Sequence, residues 1–188
     1  MTGAVEPPFS PRTNLLDQDL LYLFSYDVNL EMRRDEIGFV PGGVRVNIVA
    51  RPNETRAYHV ARDTSTLGFQ SVRGTVTWGI DRALVRSDDI GVLDVRLTIS
   101  TDSGALIHST YKGVFPAGPR GYRRLISEDP LLGSESKPFP APVFVTPRYE
   151  TDAPDYQWLV QYQCLGIGRV QIVKSTVRSA SFDIYAMD

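Results

Sequence analysis

Cysteine is almost missing from this chain. Cys164 is the only one in 188 residues, so no internal disulfide and no cysteine-built metal centre can form. Two histidines, His59 and His108, are too few for a His-rich zinc site. No metal-binding and no cofactor-binding residues are therefore expected. Excess charge of one sign is missing too. Lys and Arg number 20 against 22 Asp and Glu, and the net charge of −2 lacks the basic surplus of a nucleic-acid or anionic-membrane binder. The doublets Arg33-Arg34 and Arg123-Arg124 stand beside acids and read as solvated surface. No stretch approaches the roughly 20 apolar residues that cross a bilayer, and the N-terminus has no apolar run of the signal-peptide kind. A cytoplasmic location is the expectation. A Gly-rich phosphate loop ending in Lys-Ser/Thr, a dinucleotide fingerprint and a Gly-x-Ser-x-Gly elbow are all absent, which argues against nucleotide-dependent and α/β-hydrolase chemistry.

What is present is alternation. Leu20, Tyr22, Phe24, Tyr26, Val28 and Leu30 share one parity, which gives a strand one apolar face, and the Tyr, Phe and Val content favours strand over helix. Pro41-Gly42-Gly43 punctuates the chain, and Val44, Val46 and Ile48 then alternate with Arg45 and Asn47. Residues 51–66 are polar and read as a loop or frayed hairpin. A strand is expected over Leu67–Trp78, with Gly74 inside it marking a bulge or a close backbone approach. The strongest local signal is Leu93 to Phe115. Leu93, Val95, Leu97 and Ile99 oppose Asp94, Arg96, Thr98 and Ser100, and Asp102-Ser103-Gly104 supplies the turn of a hairpin. Three further strands are expected near Val143–Glu150, Tyr156–Leu165 and Ser175–Met187. Residues 1–14, with Pro7, Pro8 and Pro11, read as an extended arm, and residues 15–188 as one domain. Recurrent short strands without helical periods predict an all-β, mainly antiparallel barrel or sandwich. The Gly-, Pro- and charge-rich segment 116–142 is long for a plain connector. It is expected to fold over one barrel mouth, with Phe115, Tyr122 or Phe139 at the rim.

Several of these segments carry a family resemblance. Leu93-Asp94-Val95-Arg96 followed by Thr101-Asp102-Ser103-Gly104-Ala105-Leu106-Ile107 resembles the domain of unknown function 3237 family. So do Thr146-Pro147-Arg148-Tyr149-Glu150-Thr151, Tyr156-Gln157-Trp158-Leu159, Gly74-Thr75-Val76 with Gly79-Ile80-Asp81, and Pro41-Gly42-Gly43-Val44-Arg45. The similarity spans about Leu20 to Met187. It implies a single antiparallel, lipocalin-like barrel with a central pocket, and it assigns no biochemical function. Arg82 follows Asp81 where the family usually has Trp, and Val160-Gln161 stand where it usually has Asn-Arg, so a pocket built on those positions has changed shape and charge.

Three residues are candidates for catalysis. Arg96 could hold a carboxylate, enolate or phenolate if its strand face turns inward. Otherwise it belongs to an outward Asp–Arg–Thr ladder. Asp81 and Glu150 could move protons if aromatic walls raise their pKa. The alternatives are a turn carboxylate capping its own backbone and a solvated strand end. Arg45, Asp94, His108, Tyr149 and Trp158 are candidates for substrate contact, and Tyr22, Tyr26, Trp78 and Tyr156 for an aromatic lining that core packing explains equally well. Cys164 is expected to be a buried, inert thiol. The expected activity is cofactor-free acid–base chemistry, such as isomerisation, cyclisation or elimination/addition, on a small hydrophobic carbonyl or aromatic compound. The alternative is a non-catalytic carrier of a hydrophobic ligand. No nucleic-acid or membrane partner is expected, and a homo-oligomer is possible.

Overall fold

The computed structural model describes residues 20–50, 57–58, 68–117, 121–126, 139–173 and 176–187. The expected arm at 1–14 and most of the expected lid at 116–142 lie outside them. Nine strands follow in chain order: β1 Leu21–Val40, β2 Gly43–Ala50, β3 Ala57–Tyr58, β4 Gly74–Arg86, β5 Ile90–Thr101, β6 Leu106–Pro116, β7 Phe139–Glu150, β8 Gln163–Val173 and β9 Thr176–Met187. A helix, α1, spans Gly121–Ile126 and a 3₁₀ segment spans Pro154–Gln161. Among the described residues no helix is long and apolar enough to cross a membrane.

Every pairing is antiparallel, and the sheet closes on itself. β1 pairs with β9 over Leu21–Asn29 on one edge and with β2 over Leu30–Val40 on the other. β2 pairs in turn with β4, and the ladder continues through β5, β6, β7 and β8 to β9. Eight strands thus form the ring, while β3 fills a gap between β1 and β4. An eight-strand barrel has an interior just wide enough to be filled by side chains or to hold one small ligand.

Closure divides the side chains by parity. Phe24, Tyr26 and Val28 of β1, Val44, Val46 and Ile48 of β2, Leu93, Val95, Leu97 and Ile99 of β5 and Phe182 and Ile184 of β9 are buried. Each such side chain gains about 1.5–3 kcal/mol by leaving water, and summed over the ring this term sets which face points in. Pro147 stands buried in β7 where the β7–β8 ladder has already ended at Val145↔Gly166. With one partner strand there, the missing proline N–H leaves no ladder bond unmade.

The expected hairpin is β5–β6. Two other expectations shift. The strand expected over Leu67–Trp78 begins at Gly74 and runs on to Arg86, because its partners on β5 and β2 continue to that end. The close approach expected at Gly74 is present, since a Cβ there would stand 2.1 Å from the Ser100 carbonyl oxygen. The strand expected over Tyr156–Leu165 divides into the 3₁₀ segment and β8. Pro154 fixes the first turn, and Tyr156, Trp158 and Leu159 are then buried together. The Trp158 ring stacks on Phe69 at 4.7 Å.

Gly91 on β5 lies opposite Phe115 on β6, and the ring occupies the space a side chain would take. A Cβ on Gly91 would stand 2.1 Å from that ring. Gly91→Ala is expected to lower stability by about 1–3 kcal/mol, the usual cost of overpacking a core. Urea denaturation measures it, and an unchanged midpoint would show that the ring yields freely.

Candidate active site

A one-residue irregularity in β4 decides which polar group enters the barrel. Val76 faces inward, and Asp81, five residues later, would face outward on a regular strand. The register slips between Val76 and Trp78, however, so that Gly79 and Asp81 point inward and Trp78 outward. Asp81 then lies between Ile48 of β2 and Val95 of β5, both buried.

The carboxyl also enters the β4–β5 ladder. Paired residues run to Asp81↔Val95 and resume at Leu84↔Val92. In the gap, the Asp94 amide donates to Asp81 Oδ1 at 2.9 Å, and Arg45 Nη1 donates to the Arg82 carbonyl at 2.7 Å. Side chains thus complete what the backbone leaves open.

Burial is the largest influence on the acidity of Asp81. It favours the neutral acid, against which the Asp94 amide favours the carboxylate. The nearby Asp94 charge pushes in the same direction as burial, and Arg45 opposes it. The carboxyl rises from 3.8 to about 7.

Asp81 and Tyr111 face one cavity of about 50 Å³, whose other walls include Val28, Ile48, Val95 and Phe182. The Tyr111 hydroxyl is hydrogen-bonded to that of Tyr26, and burial pushes both phenols well above their ordinary values. Phe182 lies against both rings, stacked on Tyr26 at 5.2 Å and edge-on to Tyr111 at 5.8 Å. When two hydroxyls share one hydrogen bond, the accepting oxygen keeps its own proton to offer to a third group. The site thus holds a carboxyl that titrates near neutrality beside the hydrogen-bonded phenol of Tyr111, in apolar surroundings.

The other sequence candidates divide between inside and outside. Tyr149 is inside, opposite Ser109 in register, and its ring meets Phe24 edge-on at 5.8 Å. Cys164 is buried, and burial pushes its thiol up to about 11, which suits an inert group. Trp158 and Tyr156 belong to the 3₁₀ segment. Arg96 and Glu150 are exposed and face outward, with Asp94 and His108 half-buried on the same outer face. Arg96 stands between buried Val95 and Leu97, and an inward Arg96 would have expelled that apolar set, so the outward ladder is the arrangement found. Arg45 is half-buried on the outside of β2 and reaches the site only through its charge. Of the three residues expected to be catalytic, Asp81 alone meets the cavity. Tyr111 was not singled out from the sequence. Its parity with Ile107 and Phe115 was the available signal. Phe115, expected at the rim, does line the cavity.

Residues 24–187 match the model of a family described as a protein of unknown function, DUF3237. The UPF0311 protein RPA1785 of Rhodopseudomonas palustris is 28% identical over 91 residues, 47% of this chain and 55% of that protein. In that alignment the chain spans about half the length of the curated relative it matches. The crystal structure of RPA1785 superposes with a TM-score of 0.64 at 21% identity, covering 91% of this chain and 98% of that one. A β-barrel-like protein of Acinetobacter baumannii, ABAYE2633, has a TM-score of 0.58 at 19% identity, covering 90% and 96%. A structure described as an enzyme from Penicillium herquei has a TM-score of 0.51 at 13% identity, covering 91% and 95%. At these identities the likeness is one of fold.

The raised Asp81 carboxyl has a consequence for stability. A folded pKa of about 7 above an unfolded value of 3.8 means the folded chain holds this proton more tightly. The contribution is fully present below pH about 4 and is lost as pH rises through about 7. Its full size is on the order of 4 kcal/mol. Asp81→Asn removes it, so the variant should gain on the parent by a few kcal/mol between pH 5 and pH 8. Urea unfolding of both proteins at the two pH values measures this. A constant difference would show that Asp81 ionises as easily folded as unfolded.

Proposed function

The chain belongs to the DUF3237 family, and from that starting point we propose that it is a cofactor-free acid–base enzyme acting on a small hydrophobic carbonyl compound inside its barrel. The observation that carries this reading is that the Asp81 carboxyl and the phenol Tyr111, itself hydrogen-bonded to Tyr26, line one otherwise apolar cavity. A carboxylate in apolar surroundings is a stronger base than in water, and a base is most effective when its pKa lies near the working pH. Ionised Asp81 would take the proton from the carbon beside the carbonyl. The C–H electron pair would move into the new C=C bond and the carbonyl π pair onto oxygen, where a phenolic O–H would donate to the developing enolate. Returning the proton to another carbon completes an isomerisation, and expelling a group from the β carbon completes an elimination. One barrel of this fold is itself described as an enzyme, which agrees with a catalytic reading.

The cavity as it stands is the size of one or two water molecules. In this proposal a substrate enters as lining side chains such as Leu30 and Phe115 turn aside. The mostly apolar walls favour a second reading, a carrier that binds a hydrophobic molecule without transforming it.

Small enolisable ketones in D₂O separate the two. An enzyme of this kind should catalyse exchange of the α-protons, at a rate that rises through about pH 7 as Asp81 ionises. Asp81→Asn should slow exchange about a hundredfold or more, and Tyr111→Phe about tenfold or more. NMR follows both exchange and binding. Binding seen at the cavity methyl groups with no exchange above buffer would replace the enzyme by the carrier. Exchange that survives Asp81→Asn would remove this residue from the mechanism.

A further inference from the structure

The outer face of β5, β6 and β7 carries a groove of about 600 Å³, lined by residues that include Arg96, Thr110, Lys112, Arg148, His108 and Glu150. Register sorts its charges into rows. Asp94 lies opposite Lys112, and Lys112 opposite Thr146, so that row is balanced. Thr98 lies opposite His108, and His108 opposite Glu150, which sets the acid beside an imidazole. The row between them is Arg96, Thr110, Arg148. It holds two guanidinium groups on either side of one hydroxyl and no acid. Among the described residues, no ion pair joins Arg96 or Arg148 to a carboxylate.

Asp94 and Glu150 stand two residues along the same strands on this face, yet neither engages these guanidinium groups. Two exposed guanidinium groups without a protein partner among the described residues, flanking one hydroxyl, suit an anionic ligand. Strands stand about 4.8 Å apart, which separates the Arg96 and Arg148 backbones by about 10 Å. Two long side chains can close that distance over Thr110. One guanidinium saturates the two oxygens of a carboxylate, so a monocarboxylate leaves the second arginine unused. A phosphate monoester offers two charges and three terminal oxygens, enough for both forks and the Thr110 hydroxyl.

We infer that Arg96, Thr110 and Arg148 form an anion-binding site on the outside of the barrel for a phosphate-type dianion. It lies on the opposite face of β5 and β6 from the interior cavity, and the two linings have in common Val95 and Tyr111, whose side chains are buried. Lys112 adds long-range attraction but remains opposite Asp94, so it contributes less.

Titration of the full chain with phenyl phosphate at fixed ionic strength tests the site, with NMR of the Thr110 amide and the arginine side chains as the readout and benzoate as the single-charge control. Phenyl phosphate should bind at least ten times more tightly than benzoate. Arg96→Gln and Arg148→Gln, which keep the side-chain stems, should each weaken binding about tenfold or more. Lys112→Gln should change it less than threefold, and Asp81→Asn not at all. The Arg96, Arg148 and Lys112 side chains are solvent-facing, and unchanged melting temperatures of those three variants would confirm intact folding. Equal binding of phosphate and benzoate would overturn the assignment of a dianion. Absence of binding, or binding unaffected by either arginine substitution, would overturn the site.

Discussion

Closure of the sheet is the constraint on which the rest depends. Because β1 pairs with β9 at one end and β2 at the other, no face of the ring can be half in and half out. Each strand must commit one parity to an interior of fixed width. Apolar burial makes that choice for most strands, and any polar residue on the committed parity enters with its neighbours. Local shifts of register therefore have large consequences, since one extra residue exchanges the two faces.

Asp81 is the clearest case. An isolated carboxylate in such an interior is expensive, and the barrel reduces the cost in two ways. It supplies one hydrogen bond from the Asp94 amide, and it lets the group hold its proton up to about pH 7. Neither makes Asp81 a good core residue. A methyl or isopropyl group there would bury apolar surface with no such compensation. Together with the hydrogen-bonded hydroxyls of Tyr26 and Tyr111, it makes one region of a mostly apolar interior polar.

The outside of the barrel follows a different logic. There, charge is free to be solvated, and cross-strand matching is what limits repulsion. Asp94 with Lys112 and His108 with Glu150 obey that rule, while Arg96 and Arg148 share a row with a threonine. The interior and exterior features are built on the same strands in opposite parity. Val95 and Tyr111 look inward from the positions adjacent to Arg96 and Thr110, so β5 and β6 serve both faces.

Much of this was legible along the chain. Alternation determined that Leu93, Val95, Leu97 and Ile99 share a face opposite Asp94 and Arg96, because a strand has a period of two whatever surrounds it. The turn residues 102–104 determined the hairpin, and the scarcity of Cys and His ruled out a disulfide and made a zinc site of the usual ligands improbable. Tertiary structure alone decided which face is the inside, because that depends on all eight strands agreeing to enclose one core. Arg96 could be read inward until its ring neighbours, which bury Val95 and Leu97, were known. The 3₁₀ turn at Tyr156–Trp158 was equally hidden, since the same aromatic residues suit a strand until the barrel end needs filling. Asp81 was nameable from sequence, but its direction was not. Five residues separate it from Val76, an odd number, and only the register of β4 against β5 shows the slip that turns both to the interior.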